Sequence, residues 1–311
     1  MLAAIDVGSN TVRLAVGQPR QGGFSNLRYI RRVTRLAGGS DPRTGLAADR
    51  MDHTIVALEE MSELVASAGI DAVRVVGTEA LRRAPNAEEF VARVKLATGL
   101  ALHIIGGEEE ARLSCLGVFA ALDPRPDHCL VFDIGGGSTE FIWSEQGNIV
   151  FNRSYPLGVV DLCERYAEPS RQLAYIDTIL EDVVRDLTLA GIIGMARQNT
   201  ATLVGTAGTV TTLAAIKLRM VEYDGMRVNN LVLSRNEIES LACRLAPLSI
   251  AQREQLPGLE KGRGDLIMPG LRIILSILDR FEKSTMKVSD FGLLEGLLLQ
   301  MTGYSDDFEK D

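Results

Sequence analysis

The chain contains the same short pattern twice, and this repetition constrains its fold more than any other feature. Residues 3–16 and 130–143 each read as an apolar strand, an Asp-apolar-Gly step, a turn of small residues and a second alternating strand. Asp6 and Asp133 occupy the same point in the two copies, where the first strand ends. The repetition predicts two similar domains that face each other across a cleft, a common place for a ligand site.

Length and composition fit this reading. A chain of 311 residues is long enough for about two domains. Its composition, 46% apolar and 24% charged, is normal for a globular protein, and no apolar run approaches the roughly 20 residues of a membrane-spanning helix. The N-terminus lacks the features of a signal peptide. The four cysteines form no C-x-x-C pair, which indicates buried, reduced thiols rather than zinc or disulfides. We therefore expect a cytoplasmic protein.

The net charge of −8 disfavours non-specific binding to nucleic acid and to anionic membranes, so neither is expected as a partner. A polyanionic ligand would need a local basic patch. One candidate is the arginine cluster Arg28, Arg31, Arg32 and Arg35. The alternative reading of this cluster is a solvated strand edge.

Strand and helix patterns alternate along the chain, which predicts an α/β protein whose sheets are covered by helices. A proline-rich break at 123–127 is the best linker candidate. The predicted domains are 1–123 and 124–303, with the last helix free to pack back on the first domain, followed by a disordered acidic tail at 304–311. Two capping boxes, Asn86 with Glu89 and Ser234 with Glu237, predict helix starts.

Three turns of small residues each follow a predicted strand, at 8–11, 135–139 and 205–209. Glycine allows the backbone to approach an anion and to direct successive N–H groups toward it. The third turn also opens a helix, whose N-terminus favours phosphate. None of the three has the lysine of a P-loop or the pattern of a dinucleotide site. Together they predict phosphate binding, although a single turn of this kind would be explained as a tight connection.

Several charged residues near these turns have a functional and a structural reading. Asp6 and Asp133 are suited to hold Mg²⁺ beside a phosphate, or each caps its own turn. The glutamates at 108–110 either complement a helix dipole or supply a base that activates water. Arg82 either clamps a phosphoryl group or forms a surface salt bridge.

Taken together, these segments resemble one family. The motifs D-V-G-S-N-T, V-G-T-E-A-L-R, I-I-G-G-E-E-E-A-R-L, F-D-I-G-G-G-S-T-E, G-T-A-G-T and V-S-D-F-G-L-L-E-G are similar, in order and spacing, to those of the exopolyphosphatase and guanosine pentaphosphate phosphatase family, Ppx/GppA. The resemblance implies two ribonuclease H-like domains of the kind found in actin, sugar kinases and heat-shock chaperone ATPases. It also implies Mg²⁺-dependent hydrolysis of a terminal phosphoanhydride, in polyphosphate or in guanosine pentaphosphate.

The resemblance carries roles over to matching positions. It implies that Glu110 is the catalytic glutamate, Glu140 its acidic partner and Arg82 a catalytic arginine. It implies that Asp133 belongs to a metal site, with Asp6 as a weaker candidate. The phosphate-binding positions that it implies are Ser9, Asn10, Gly136, Gly137, Ser138, Gly208, Thr209, Arg32 and Arg35.

The chain also departs from the family pattern. Longer members carry an added C-terminal helical module, often with a His-Asp motif, which this sequence lacks, so it resembles a short two-domain form. Leu294 stands where many members have an arginine.

Two other classes of function remain as alternatives. A small-molecule kinase of the same superfamily would need an adenosine pocket in the second domain, and the sequence shows no aromatic-rich candidate there. A sensor that binds polyphosphate or an alarmone without cleaving it would not need Glu110, Glu140 and Arg82 together. Both a monomer and a homodimer are compatible with the sequence.

Overall fold

The computed structural model describes residues 1–20, 23–70 and 72–303, and these residues form two compact units. The first unit comprises Met1–Ala120 together with the last helix of the chain, which begins at Leu293. The second unit comprises Ala121–Gly292. The acidic tail predicted at 304–311 lies outside the described residues. Strands and helices are numbered below in chain order.

The first unit is built on a five-stranded sheet. Its strands are β1 (Leu2–Val7), β2 (Thr11–Arg20), β3 (Gly23–Val33), β4 (Ala72–Gly77) and β5 (Leu102–Ile104). The spatial order is β3-β2-β1-β4-β5, in which β1 pairs antiparallel with β2 and parallel with β4. The carboxyl ends of β1, β4 and β5 therefore lie at one edge of the sheet, where the first glycine turn also lies.

Helices cover both faces of this sheet. They are α1 (Ala48–Ser67), α2 (Glu79–Arg83), α3 (Ala87–Thr98), α4 (Gly107–Ala121) and α13 (Leu293–Met301). Successive side chains of a strand point to opposite faces. Ala3 and Ile5 accordingly belong to the core beneath α1 and α3, whereas Ala4 belongs to a separate core beneath α13.

The second unit repeats this plan. Its strands are β6 (His128–Ile134), β7 (Thr139–Glu145), β8 (Asn148–Tyr155), β9 (Thr202–Thr206), β10 (Val232–Ser234) and β11 (Thr285–Val288). The order β8-β7-β6-β9-β11 matches that of the first sheet, and β10 adds one antiparallel edge strand. The predicted duplication is thus present in the strand order as well as in the sequence.

The helices of the second unit differ widely in length. They are α5 (Val159–Arg165), α6 (Pro169–Leu189), α7 (Ile193–Arg197), α8 (Ala207–Lys217), α9 (Gly225–Val228), α10 (Arg235–Leu245), α11 (Ile250–Arg253) and α12 (Ile267–Arg280). The apolar helix α12 packs against α6, α8 and α10. Its burial follows from its sequence, since nine of its residues are buried, from Ile267 to Leu278.

The structure corrects some local predictions. Ser234 and Glu237 form the predicted capping box, but Asn86 caps no helix. Its side chain instead binds the backbone N–H and C=O of Leu46. The sequence pattern of 24–36 also predicts a single strand, but β3 ends at Val33, and Arg35 beyond it has a left-handed backbone with φ of 51°.

The cysteines follow the prediction only in part. Cys115 and Cys129 are buried, and burial raises the pKa of Cys129 to about 12. Cys163 is half-buried, and Cys243 is exposed, so the prediction of a buried thiol is wrong for Cys243. Across the described ranges, no helix combines the length and the apolar character required to span a membrane.

Candidate functional site

In the first unit, Arg82 and Glu110 form a direct ion pair. Arg82 lies on α2, which follows β4, and Glu110 lies in the first turns of α4, which follows the neighbouring strand β5. Parallel neighbours end at the same edge, so the two short connections bring the side chains together. Arg82 also donates to the carboxylate of Glu79 over 2.7 Å and to the carbonyl oxygen of Ile105 over 3.1 Å.

The charges of this cluster stabilise one another. Burial by itself would lower the pKa of Arg82, but the carboxylates of Glu110 and Glu79 outweigh it and raise that pKa above its ordinary value. The guanidinium therefore remains charged while mostly removed from water. Glu110 is buried at the start of its helix, where the helix dipole favours a negative charge. The predicted catalytic pair thus consists of a fixed cation and a buried carboxylate.

The first glycine turn brings Ser9, Asn10 and Arg35 together. The carbonyl oxygen of Ser9 accepts from the N–H of Ala37, and that of Asn10 accepts from the N–H groups of Thr34 and Arg35. These bonds fix the end of β3 against the turn. Both Ser9 and Asn10 are buried, and within the described residues the side-chain oxygen of Asn10 has no hydrogen-bond partner.

Asp6 has one engaged and one unsatisfied oxygen. Its Oδ2 accepts from Arg13 Nε over 3.0 Å and from Arg13 Nη2 over 2.6 Å. Its Oδ1 is buried and makes no hydrogen bond within the part of the chain that the structure describes. An unsatisfied buried carboxylate oxygen beside a glycine turn is suited to a cation, because such a group is costly to leave unpaired.

Arg32, a predicted phosphate-binding residue, already has a partner within the protein. Its guanidinium pairs with the carboxylate of Glu60 on α1, at the exposed surface. The hydrogen bond to Glu60 raises the pKa of Arg32. A phosphate would have to compete with Glu60 for Arg32, and the role of this residue stays a prediction.

In the second unit, the loop at 135–139 is held by α5, the helix that follows β8. The carbonyl oxygens of Gly135 and Gly136 accept from the first N–H groups of α5, with a distance of 2.8 Å from Val160 to Gly136. Gly158 packs directly on this loop. A Cβ atom at Gly158 would overlap with the backbone of Gly136 and Gly137.

A row of polar side chains crosses the second sheet. Residue Asp133 on β6 is paired with Glu140 on β7, and Glu140 is paired with Ser154 on β8. On the other side, Asp133 is paired with Thr206 at the end of β9. Directly opposite residues of an antiparallel pair share one face of the sheet, so the two carboxylates are neighbours.

Glu140 is held by two hydroxyl groups. It is buried, with 2% of its surface exposed, and its Oε1 accepts from Ser138 over 2.8 Å and from Ser154 over 2.6 Å. The hydroxyl of Ser138, a predicted phosphate-binding residue, is therefore engaged with Glu140. The prediction omitted Ser154, although an alignment of β7 with β8 by alternation would have placed it opposite Glu140.

The third turn contacts an arginine that the sequence analysis missed. Arg263 is buried, and a Cβ atom at Gly208 would lie 2.7 Å from its Cζ. Gly270 of α12 leaves room for the side chain of the buried Thr209 in the same turn. No motif marks Arg263. The chain passes through α9, α10 and α11 between the turn and Arg263, so only the folded structure brings the two together.

The two copies of the repeated pattern use their aspartates differently. In the first unit, the residue opposite Asp6 is Arg13, which neutralises it. In the second unit, the residue opposite Asp133 is Glu140, another carboxylate. Among the described residues, no three His, Cys, Asp or Glu side chains are grouped closely enough to hold a metal ion by themselves. Two carboxylates with further ligands from a substrate remain the donor set that Mg²⁺ prefers.

Comparisons with known proteins place the chain in a family. Residues 15–305 match the model of the Ppx/GppA phosphatase family. Exopolyphosphatase 2 of Mycobacterium tuberculosis (strain CDC 1551 / Oshkosh) is 28% identical over 97% of this chain and 98% of its own length.

Solved structures agree with this assignment. The crystal structure of the Aquifex aeolicus member of the Ppx/GppA family is 32% identical, with a TM-score of 0.79 over 98% of both chains. An exopolyphosphatase from Cytophaga hutchinsonii is 22% identical and has the same fold, with a TM-score of 0.87 over 98% of both chains. The prediction of two ribonuclease H-like α/β domains is confirmed. The chain belongs to the Ppx/GppA phosphatase family.

Proposed function

We propose that this phosphatase removes terminal orthophosphate from inorganic polyphosphate by the in-line attack of a water molecule. The observation that carries the proposal is the ion pair of buried Glu110 with half-buried Arg82, a carboxylate suited to activate water beside a cation suited to a phosphoryl group. The exopolyphosphatase name of the Mycobacterium tuberculosis relative favours polyphosphate over other phosphoanhydrides.

Glu110 acts as the general base in this proposal. A carboxylate that accepts a proton from water must be held in one orientation, and the contact with Arg82 provides that constraint. Arg82 remains anchored through Glu79 when one of its terminal nitrogens turns to a phosphoryl oxygen. The guanidinium then stabilises the negative charge that accumulates on the phosphoryl oxygens in the transition state.

The phosphate chain is bound by the backbone N–H groups of the glycine turns and by Arg263. The third turn opens α8, so the helix dipole adds to the attraction. The guanidinium of Arg263 lies against Gly208, within the same small region. A polyphosphate is a chain of like negative charges, and such a combination of cation and backbone donors is suited to it.

The residues present fit a divalent cation. Asp133 and Glu140 lie directly opposite each other, which is unfavourable for two carboxylates unless a positive charge is close to them. Asp133 would be the principal ligand and Glu140 an accompanying carboxylate, while the unsatisfied Oδ1 of Asp6 is a second candidate ligand in the first unit. Mg²⁺ bound by Asp133 and Glu140 would neutralise the negative charge of the phosphate oxygens.

The function is tested by measuring phosphate release from purified protein in Mg²⁺. Long-chain polyphosphate, guanosine pentaphosphate and ATP would be compared, since all three present a terminal phosphoanhydride. We expect the highest kcat/KM with polyphosphate. Release from guanosine pentaphosphate alone would replace the proposed substrate, and tight polyphosphate binding without release would indicate a sensor.

Replacing Asp133 with asparagine tests the metal assignment. The Mg²⁺ concentration that gives half-maximal activity should rise by about tenfold or more in this variant, because a charged ligand is lost. The measurement is activity as a function of free Mg²⁺. Asp127→Asn is the matched control, since Asp127 is exposed and precedes the opposite end of the same strand. An unchanged Mg²⁺ requirement in Asp133→Asn would remove Asp133 from the metal site.

Replacing Arg263 with alanine tests the phosphate contact that the sequence did not indicate. We expect KM for polyphosphate to rise by roughly 10- to 100-fold, the range for a lost charged hydrogen bond, with a smaller change in kcat. Arg263→Lys keeps the positive charge but loses the planar set of guanidinium donors. Its KM should therefore lie between those of the wild type and Arg263→Ala. A normal KM in a folded Arg263→Ala protein would contradict this role.

A further inference from the structure

We propose that Ser154 is a positioning residue for Glu140, holding its carboxylate in the orientation that the reaction requires. The inference rests on the proposed function, in which Glu140 accompanies Asp133 at the reacting phosphate. Ser154 itself touches neither substrate nor metal in this proposal, and it acts only through Glu140.

The sheet places the two residues together. Glu140 on β7 and Ser154 on β8 are direct partners in the antiparallel register, so their side chains leave the same face. The hydroxyl of Ser154 donates to Glu140 Oε1 over 2.6 Å. Because regular backbone pairing surrounds this position, the location of the donor is set by the sheet.

Ser138, the second donor to Glu140, can be affected by a bound phosphate. Ser138 also donates to Oε1, over 2.8 Å, but it belongs to the glycine loop that is proposed to bind phosphate. A phosphate entering that loop offers the Ser138 hydroxyl a second, charged acceptor. Ser154 lies outside the loop and has no such competitor there. It therefore keeps Glu140 in place when the substrate is bound.

Burial makes this contact matter. Glu140 has 2% of its surface exposed, so water cannot replace a lost hydrogen bond easily. Loss of the Ser154 hydroxyl should consequently disturb the orientation of Glu140.

The experiment compares the wild-type protein with Ser154→Ala, Ser154→Thr and Ser144→Ala. Ser144 is a matched control, since it is a buried serine on β7 near the other end of that strand. The readouts are kcat and KM with polyphosphate, which separate an effect on the reaction step from an effect on substrate binding. Circular dichroism and thermal unfolding establish that each variant is folded.

For Ser154→Ala we expect kcat to fall by about tenfold with KM nearly unchanged. Ser154→Thr retains the hydroxyl and should recover most of kcat. Ser144→Ala should match the wild type. The proposal is overturned if Ser154→Ala keeps the wild-type kcat, or if Ser144→Ala loses as much activity as Ser154→Ala.

A second readout does not depend on turnover. Crystal structures of the wild-type, Ser154→Ala and Ser144→Ala proteins show the orientation of the Glu140 carboxylate directly. The carboxylate should turn away from its wild-type position in Ser154→Ala and keep that position in Ser144→Ala. If the wild-type protein releases no phosphate, the proposed function fails, and these structures still decide whether Ser154 positions Glu140.

Discussion

Replacing Glu110 with glutamine should lower kcat for phosphate release by about 10²- to 10⁴-fold, the range for loss of a general base. Glutamine has the same shape and can still contact Arg82, but it cannot accept a proton from water. Substrate binding should change little, because the glycine turns and Arg263 are untouched. The measurement is steady-state phosphate release from polyphosphate at saturating Mg²⁺.

The control for this substitution is Glu108→Gln. Glu108 is exposed in the first turn of the same helix, so the variant loses an equal charge near the same dipole without a buried contact. It should retain wild-type kcat. If Glu110→Gln were as active as Glu108→Gln, the base would have to be another residue, and Glu140 would be the next candidate.

Replacing Gly158 with alanine should lower activity strongly, although the substitution adds only one methyl group. The added methyl group would overlap with the backbone of Gly136 and Gly137, and backbone atoms cannot move aside as the end of a side chain can. The loop at 135–139 must then shift. We expect a loss of about 1–3 kcal/mol in the free energy of unfolding, and a loss of about 100-fold in kcat/KM from the displaced phosphate contacts.

Gly194→Ala provides the comparison for Gly158→Ala. Gly194 lies in the short helix α7, and a Cβ atom there meets nothing within 4 Å. Alanine is favoured over glycine in helices, so this variant should be neutral or slightly more stable, with normal activity. Thermal unfolding and phosphate release measured on both variants would show whether the contact with the loop is responsible. Normal kcat/KM in Gly158→Ala would show that the loop tolerates the shift.

Local patterns in the sequence were sufficient to predict the elements that carry the site. The repeated strand-turn-strand pattern around Asp6 and Asp133 predicted the duplicated fold, since alternation and glycine turns are properties of neighbouring residues. The position of Glu110 at the start of α4 followed from the acidic residues after a predicted strand. The roles of Glu110, Glu140 and Arg82 came from the family resemblance and await the experiments described above.

Contacts between distant segments could not be predicted in this way. Asn86 has the sequence pattern of a helix cap, yet Leu46 offers its side chain two backbone partners, and this tertiary contact replaces the local one. Arg263 and Ser154 were missed for a related reason. Their partners are selected by chain path and by strand register, and a single sequence shows neither.

The packing of α13 has a consequence for the order in which the chain folds during synthesis. Its leucines complete the core that contains Ala4 and Val76, and Gly296 allows the helix to approach the carbonyl oxygen of Leu113. A ribosome makes residues 121–292 before it makes α13. The N-terminal unit must therefore wait, with one apolar face uncovered, until α13 has been made. Nascent chains stalled before Leu293 should be cut by protease within the first unit, whereas chains stalled well beyond α13 should resist.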